Sequence, residues 1–140
     1  MTRSNLARGV LVGLVTMMVL VGCSDTSGFP IMDRQHTDED KLPASVEEFL
    51  DSEEFDFSSS RLSASKDDNA FFLVYKTAGQ GKGAPCLVVV GSSGTSICGG
   101  LPLTFTPVSG DAVQFVEAPA SGDDGWTVLS ENIRTRSTAG

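Results

Sequence analysis

Ala70-Phe71-Phe72-Leu73-Val74-Tyr75-Lys76 is the stretch whose reading decides the fold. It is rich in aromatic and β-branched residues, which suit a pleated strand. Successive strand side chains point to opposite faces, and here both faces are apolar. A strand of that kind belongs at the centre of a sheet, with cover on both sides. The neighbouring segments are strand-like too. Arg61 to Ser65 is a short, mostly polar candidate, and Cys86-Leu87-Val88-Val89-Val90 is a second apolar run. Gly91-Ser92-Ser93-Gly94 reads as a turn, from which Thr95 to Cys98 returns. Antiparallel pairing of those two arms brings Cys86 and Cys98 within reach of a disulfide.

Further along, Leu103-Thr104-Phe105-Thr106 alternates apolar and polar, and Pro107 marks its end or an edge. Ala112 to Glu117 places Val113 and Phe115 on one face. Pro119 to Gly125 is a turn-rich connection, and Trp126 to Ile133 closes the set. Trp126 reads as a core or core-edge residue, and Arg134 and Arg136 as exposed. Ahead of the strands, Pro43 to about Glu54 has the pattern of an amphipathic helix. Pro43 suits a first turn, Ser45 and Glu48 have capping-box spacing, and Val46, Phe49 and Leu50 share a stripe. The expected class is therefore α+β or mainly β. One N-terminal amphipathic helix packs on an antiparallel sheet of five to seven strands, as a meander or small barrel.

The 140 residues hold 18 acidic against 10 basic side chains. A negative balance of that size repels phosphate backbones, so nucleic acid is not an expected partner. Gly79-Gln80-Gly81-Lys82-Gly83 lacks the Lys-Ser/Thr pair and following helix of a phosphate-binding loop and reads as a flexible connection. Cys86 and Cys98 supply two thiolates, too few for a zinc site, and their spacing is not that of a redox pair. Asp38-Glu39-Asp40 lacks the glycine and terminal glutamate of a calcium loop and reads as a solvated charge run. No metal or cofactor is expected. His36 is the only histidine. It lies in a polar stretch away from any serine or cysteine in a nucleophile motif, so no catalytic residues are assigned and the chain is not read as an enzyme. A carboxylate pair acting on a glycan is the catalytic alternative, disfavoured by the small size of the domain.

Leu20-Val21-Gly22-Cys23 has the form of a lipobox. It ends the apolar run Gly9 to Val21, behind an n-region carrying Arg3 and Arg8. That run is too short to span a bilayer and fits a signal h-region. The segment resembles the bacterial lipoprotein signal family. The resemblance implies cleavage before Cys23, acylation of Cys23, and attachment to the extracytoplasmic face of the cell membrane through acyl chains such as palmitate. Residues 1–22 are then the signal peptide, 23–42 a lipidated, flexible acidic tether, 43–136 the domain and 137–140 a tail. Lipidation of Cys23 leaves Cys86 and Cys98 as an even pair. The order of aromatic strand, Cys-Leu-Val strand, turn, Cys and Trp-containing last strand resembles small uncharacterised lipoproteins of high-GC Gram-positive bacteria. The expected role is a non-catalytic binding or inhibitory module whose partner is a basic envelope or host protein. The alternative is a structural or assembly accessory of an envelope transporter or sensor.

Overall fold

Residues 28–78, 83–91, 94–107 and 110–139 are described by a computed structural model of the chain. The two-faced strand lies where its composition requires. Asn69–Val74 (β2) pairs antiparallel with Arg61–Lys66 (β1) on one side and Cys86–Val90 (β3) on the other. Thr95–Ile97 (β4) completes this sheet in the order β1-β2-β3-β4. The second sheet is built from Leu103–Phe105 (β5), Ala112–Phe115 (β6), Thr127–Val128 (β7) and Ile133–Arg136 (β8), in the order β5-β6-β8-β7.

The register sorts the apolar residues by face. Phe71 lies opposite Val89 and Leu73 opposite Leu87. These four point at the second sheet and bury against Val113, Phe115 and Ile133. Phe72 opposite Val88 and Val74 opposite Cys86 point the other way. Val46, Leu50 and Phe55 cover them. The molecule thus has three layers: an irregular cover, the first sheet and the second sheet. Each fully buried side chain of this kind stabilises the fold by roughly 1.5–3 kcal/mol relative to leaving it exposed.

Several expectations need correction. Among the described residues there are eight strands rather than five to seven, and they form two open sheets rather than a closed barrel. After β4 the chain leaves the first sheet through Gly99-Gly100-Leu101-Pro102, and β5 pairs with β6 instead of returning to β4. In place of a continuous helix over 43–54 there is a 3₁₀ helix at Ala44–Glu48, followed by turns. Three apolar residues are a narrow stripe for a short helix, which is marginal without strong packing. The Asp51 carboxylate accepts the Glu53 N–H at 2.8 Å, an Asx turn that competes with helical continuation. Val46 and Leu50 still reach the sheet, and the Phe49 ring sits so close to Gly94 that a Cβ there would collide with it.

The largest correction concerns the segment before the domain. Residues 28–42, expected as part of a flexible tether, are part of the fold. Phe29 and Met32 are 6% and 8% exposed and belong to the core between the sheets, with the Phe29 ring centroid 5.6 Å from that of Phe115. Low average hydrophobicity hid two well-placed apolar anchors. Gly28 is fixed as well: its carbonyl accepts from the Ala118 N–H at 2.8 Å and from Asn132 Nδ2 at 2.9 Å. At Ser63 the ladder of β1 with β2 shifts register. The Ser63 hydroxyl lies 2.8 Å from that of Ser130 and ties the first sheet to the second.

Cys86 and Cys98 form a disulfide, with an S–S distance of 2.05 Å and Cα atoms 4.6 Å apart. It closes β3 against the end of β4. The loop is short, and the link is expected to contribute on the order of 3 kcal/mol by constraining the unfolded chain. Reduction is therefore expected to lower the thermal midpoint without abolishing folding. Calorimetry with and without reductant checks this, and an unchanged midpoint would show that the link adds nothing.

Candidate functional site

The cover over the first sheet concentrates charge. Between Leu42 and Ser60 there are six acidic residues (Glu47, Glu48, Asp51, Glu53, Glu54 and Asp56) and neither lysine nor arginine. The layer folds this way because its few apolar residues point inward and its carboxylates are left outside. Glu47, Glu48, Asp51, Glu53 and Glu54 are exposed, while Phe49 and Phe57 are half-buried among them. Two shallow grooves meet at Ser52. One, of about 540 Å³, is lined by Glu47, Glu48, Phe49, Leu50 and Asp51. The other, of about 340 Å³, is lined by Phe55, Asp56, Phe57 and Thr77. Asp56 is partly committed, accepting from the Ser58 N–H at 3.1 Å and the Ser58 hydroxyl at 2.5 Å. Lys76 stands at the rim, 2.6 Å from Glu54 Oε1, with its ammonium 5.6 Å from the Phe55 ring centroid. The arrangement offers an anionic, partly aromatic surface to a cationic partner.

The acidic run 38–40 divides in two. The Asp38 side chain is 94% exposed and pairs with Lys41 at 2.7 Å, as a solvated run would. Asp40, by contrast, is completely buried. Its carboxylate accepts from Arg34 Nη1 and Nη2 at 2.7 and 2.5 Å, from the Thr37 N–H and hydroxyl at 2.8 and 3.0 Å, and from the Leu62 N–H at 2.8 Å. The Ser60 hydroxyl donates to the Asp40 carbonyl at 2.5 Å. Arg61 adds a second arm, donating from Nε and Nη2 to the Arg34 carbonyl at 3.1 and 2.9 Å. This knot binds the N-terminal segment to β1 and satisfies its exposed edge with a side chain. Burial pushes the Asp40 carboxyl pKa up, but the hydrogen bonds from Arg34, Thr37 and Leu62 outweigh it and hold the group well below the usual carboxylate range. The Arg34 guanidinium is correspondingly raised by its hydrogen bonds to Asp40.

Trp126 lies at the edge of the second sheet and is 8% exposed. Two guanidiniums cover it, Arg134 at 5.1 Å and Arg136 at 4.6 Å from the ring centroid. Arg134 was expected to be exposed, yet its side chain retains 17% exposure. It donates to Gln114 Oε1 at 2.7 Å, the Ser121 carbonyl at 2.9 Å and Asp123 at 3.0 Å. Neither this stack nor the Asp40 knot is signalled by local sequence, because their partners are distant in the chain or look like ordinary surface residues.

The other candidates are placed as follows. Cys23, and with it the lipobox, lies outside the described residues, as do Gly79 to Lys82. His36 is half-buried, two residues after Arg34 in the chain. Lys66 pairs with Asp111. Among the described residues there is no group of three or more His, Cys, Asp or Glu side chains suited to a metal ion. Among them, too, no helix is long and apolar enough to cross a membrane. No protein-family model, curated protein or solved structure matches this chain.

The knot has a measurable consequence. A carboxylate whose pKa is depressed by folding contributes stability above its unfolded value, near pH 4, and loses it as pH falls toward the folded value. Stability is therefore expected to drop below about pH 4. Asp40→Ala is expected to destabilise by on the order of 3 kcal/mol at neutral pH and to flatten that acid dependence. Urea titrations of both proteins at neutral pH and at acid pH check this. Equal acid sensitivity in the two would show that Asp40 is not the responsible group.

Proposed function

We propose that this chain is a membrane-anchored extracytoplasmic lipoprotein, held by acyl chains on Cys23, that works as a non-catalytic binding module for a basic envelope or host protein. The observation that carries the binding reading is the acidic cover. Six carboxylates and no cation lie between Leu42 and Ser60, on a layer where two aromatic rings, Phe49 and Phe57, are only half-covered. Surface carboxylates attract a basic partner over a distance set by ionic strength and speed its encounter. Half-buried Phe49 and Phe57 add apolar contact once it docks. The anchoring reading rests on the form of residues 3–23. Two acyl chains hold a protein stably on a bilayer where one binds reversibly.

Two experiments test these halves separately. Metabolic labelling with a fatty acid is expected to mark the wild-type protein and not Cys23→Ala, which leaves the membrane fraction. An unlabelled wild type would remove the anchor. Capture from an envelope extract at low ionic strength is expected to recover a basic protein that elutes at high salt. Combined Glu47→Gln, Glu48→Gln and Asp51→Asn substitutions are expected to weaken its binding by roughly tenfold, at up to about 1 kcal/mol for each surface charge. Unchanged affinity in that variant would place the partner elsewhere.

A further inference from the structure

We infer that the end of the sandwich bearing Gly28 is the end that faces the bilayer, with the β1–β2 turn at Asp67 and Asp68 held outward; this rests on the Cys23 anchor of the preceding subsection. A tether running to residue 42 would let the domain tumble freely above the membrane. The fold removes most of that freedom. Gly28 is pinned by the Ala118 N–H and Asn132 Nδ2, Phe29 and Met32 are buried between the sheets, and the Asp40 knot fastens the remainder to β1. Only Ser24 to Ser27 separate the lipid-bearing residue from this fixed point. Five residue steps span at most about 18 Å. A folded domain of roughly 110 residues has a radius of gyration near 13 Å, equivalent to a sphere of roughly 17 Å radius. The leash is thus about one radius long. Contact through the pole opposite Gly28 would lift Gly28 by a full diameter, roughly 34 Å, about twice the leash, so that pole cannot reach the bilayer.

The strands identify the two poles. Gly28 sits beyond the C-terminal end of β6, where Ala118 follows the strand and Asn132 precedes β8. The opposite end of β6 is marked by Asp111, which pairs with Lys66 at the end of β1. Asp67 and Asp68 follow directly in the β1–β2 turn. The acidic cover lies on the flank, on the outer face of the first sheet, away from both poles. Glu117 and Glu131 are exposed at the Gly28 end, and the nearby Arg34 and Arg134 are paired with Asp40 and Asp123. The facing is imposed by chain length alone. It is therefore independent of salt and of the anionic lipid content.

The test uses the isotope-labelled lipoprotein in phosphatidylcholine nanodiscs carrying a paramagnetic headgroup lipid. Amide signals of Ala118, Ala120 and Glu131 are expected to lose several-fold more intensity than those of Asp67, Asp68 and Gly91. The difference is expected to persist at high salt and in discs containing phosphatidylglycerol. It is expected to collapse when a long Gly-Ser insertion follows Ser24. Uniform loss, stronger loss at Asp67 and Asp68, or a pattern indifferent to the insertion would overturn the inference. Intact mass reports acylation independently. If the protein from cells carries no acyl group, the anchor reading fails, and the full chain coupled through the Cys23 thiol to a maleimide phospholipid in the same discs still decides the orientation.

Discussion

Strand β2 cannot be satisfied by one neighbour layer. Phe71 and Leu73 point one way and Phe72 and Val74 the other, and all four are at most 4% exposed. A sheet with a single dry face would leave half of this strand in water, so the chain must supply cover on both sides. The rest of the structure follows from how the two sides are supplied. The second sheet covers one face through Val113, Phe115 and Ile133. The other is covered by a short irregular segment that delivers Val46, Leu50 and Phe55 and little else. The charged residues on the exposed side of that segment, Glu47, Glu48, Asp51, Glu53 and Glu54, are all acidic.

Burying the margins of this sandwich takes polar groups that are mostly paired. The Asp40 carboxylate is the clearest example, since an unpaired buried charge would cost several kcal/mol. Its donors come from three places: Arg34 just upstream, the turn it belongs to, and β1, some twenty residues on. The same logic holds around Trp126, where Arg134 and Arg136 lie over the ring and Arg134 is held by Gln114, Ser121 and Asp123. Asn132 donates both its amide protons to the carbonyls of Gly28 and Val116. Its Oδ1 is the one buried side-chain polar atom without a hydrogen-bond partner among the described residues. Together these contacts convert the segment from Gly28 to Lys41 from a linker into a strap.

That conversion joins the fold to the proposed role. A binding module on a membrane surface needs a face that its anchor does not occlude. With the proposed anchor at Cys23, the strap would shorten the leash to a few residues and fix where it departs. The acidic cover, on the flank of the first sheet, is left clear of that point. Net charge alone argues only for solubility. The placement of the charge, with the carboxylates of residues 47–56 on one layer, is what singles out a surface.

Much of the first sheet was legible in the sequence. The two-faced run at 70–76, the apolar run at 86–90 and the cysteine pair flanking a turn imply a central strand, its neighbour and a disulfide, because strand periodicity and turn chemistry are local. The alternation around Val113 and Phe115 marked a strand of the second sheet for the same reason. The candidate site was legible only as a list of acidic residues. Which of them are solvated and which buried depends on partners elsewhere in the chain, so Asp38 and Asp40, two residues apart, have opposite fates. The helix expected at 43–54 gave way to a 3₁₀ turn because tertiary contacts with β2 and β3, together with a local Asx turn, outweighed a weak periodicity. The sequence by itself determined the β character, the disulfide partners and the two-sided demand of β2. Only the tertiary structure decided that the strands divide into two open sheets and that residues 28–42 belong to the fold, because strand partners and the pairing of buried charges are set by contacts far apart in the chain.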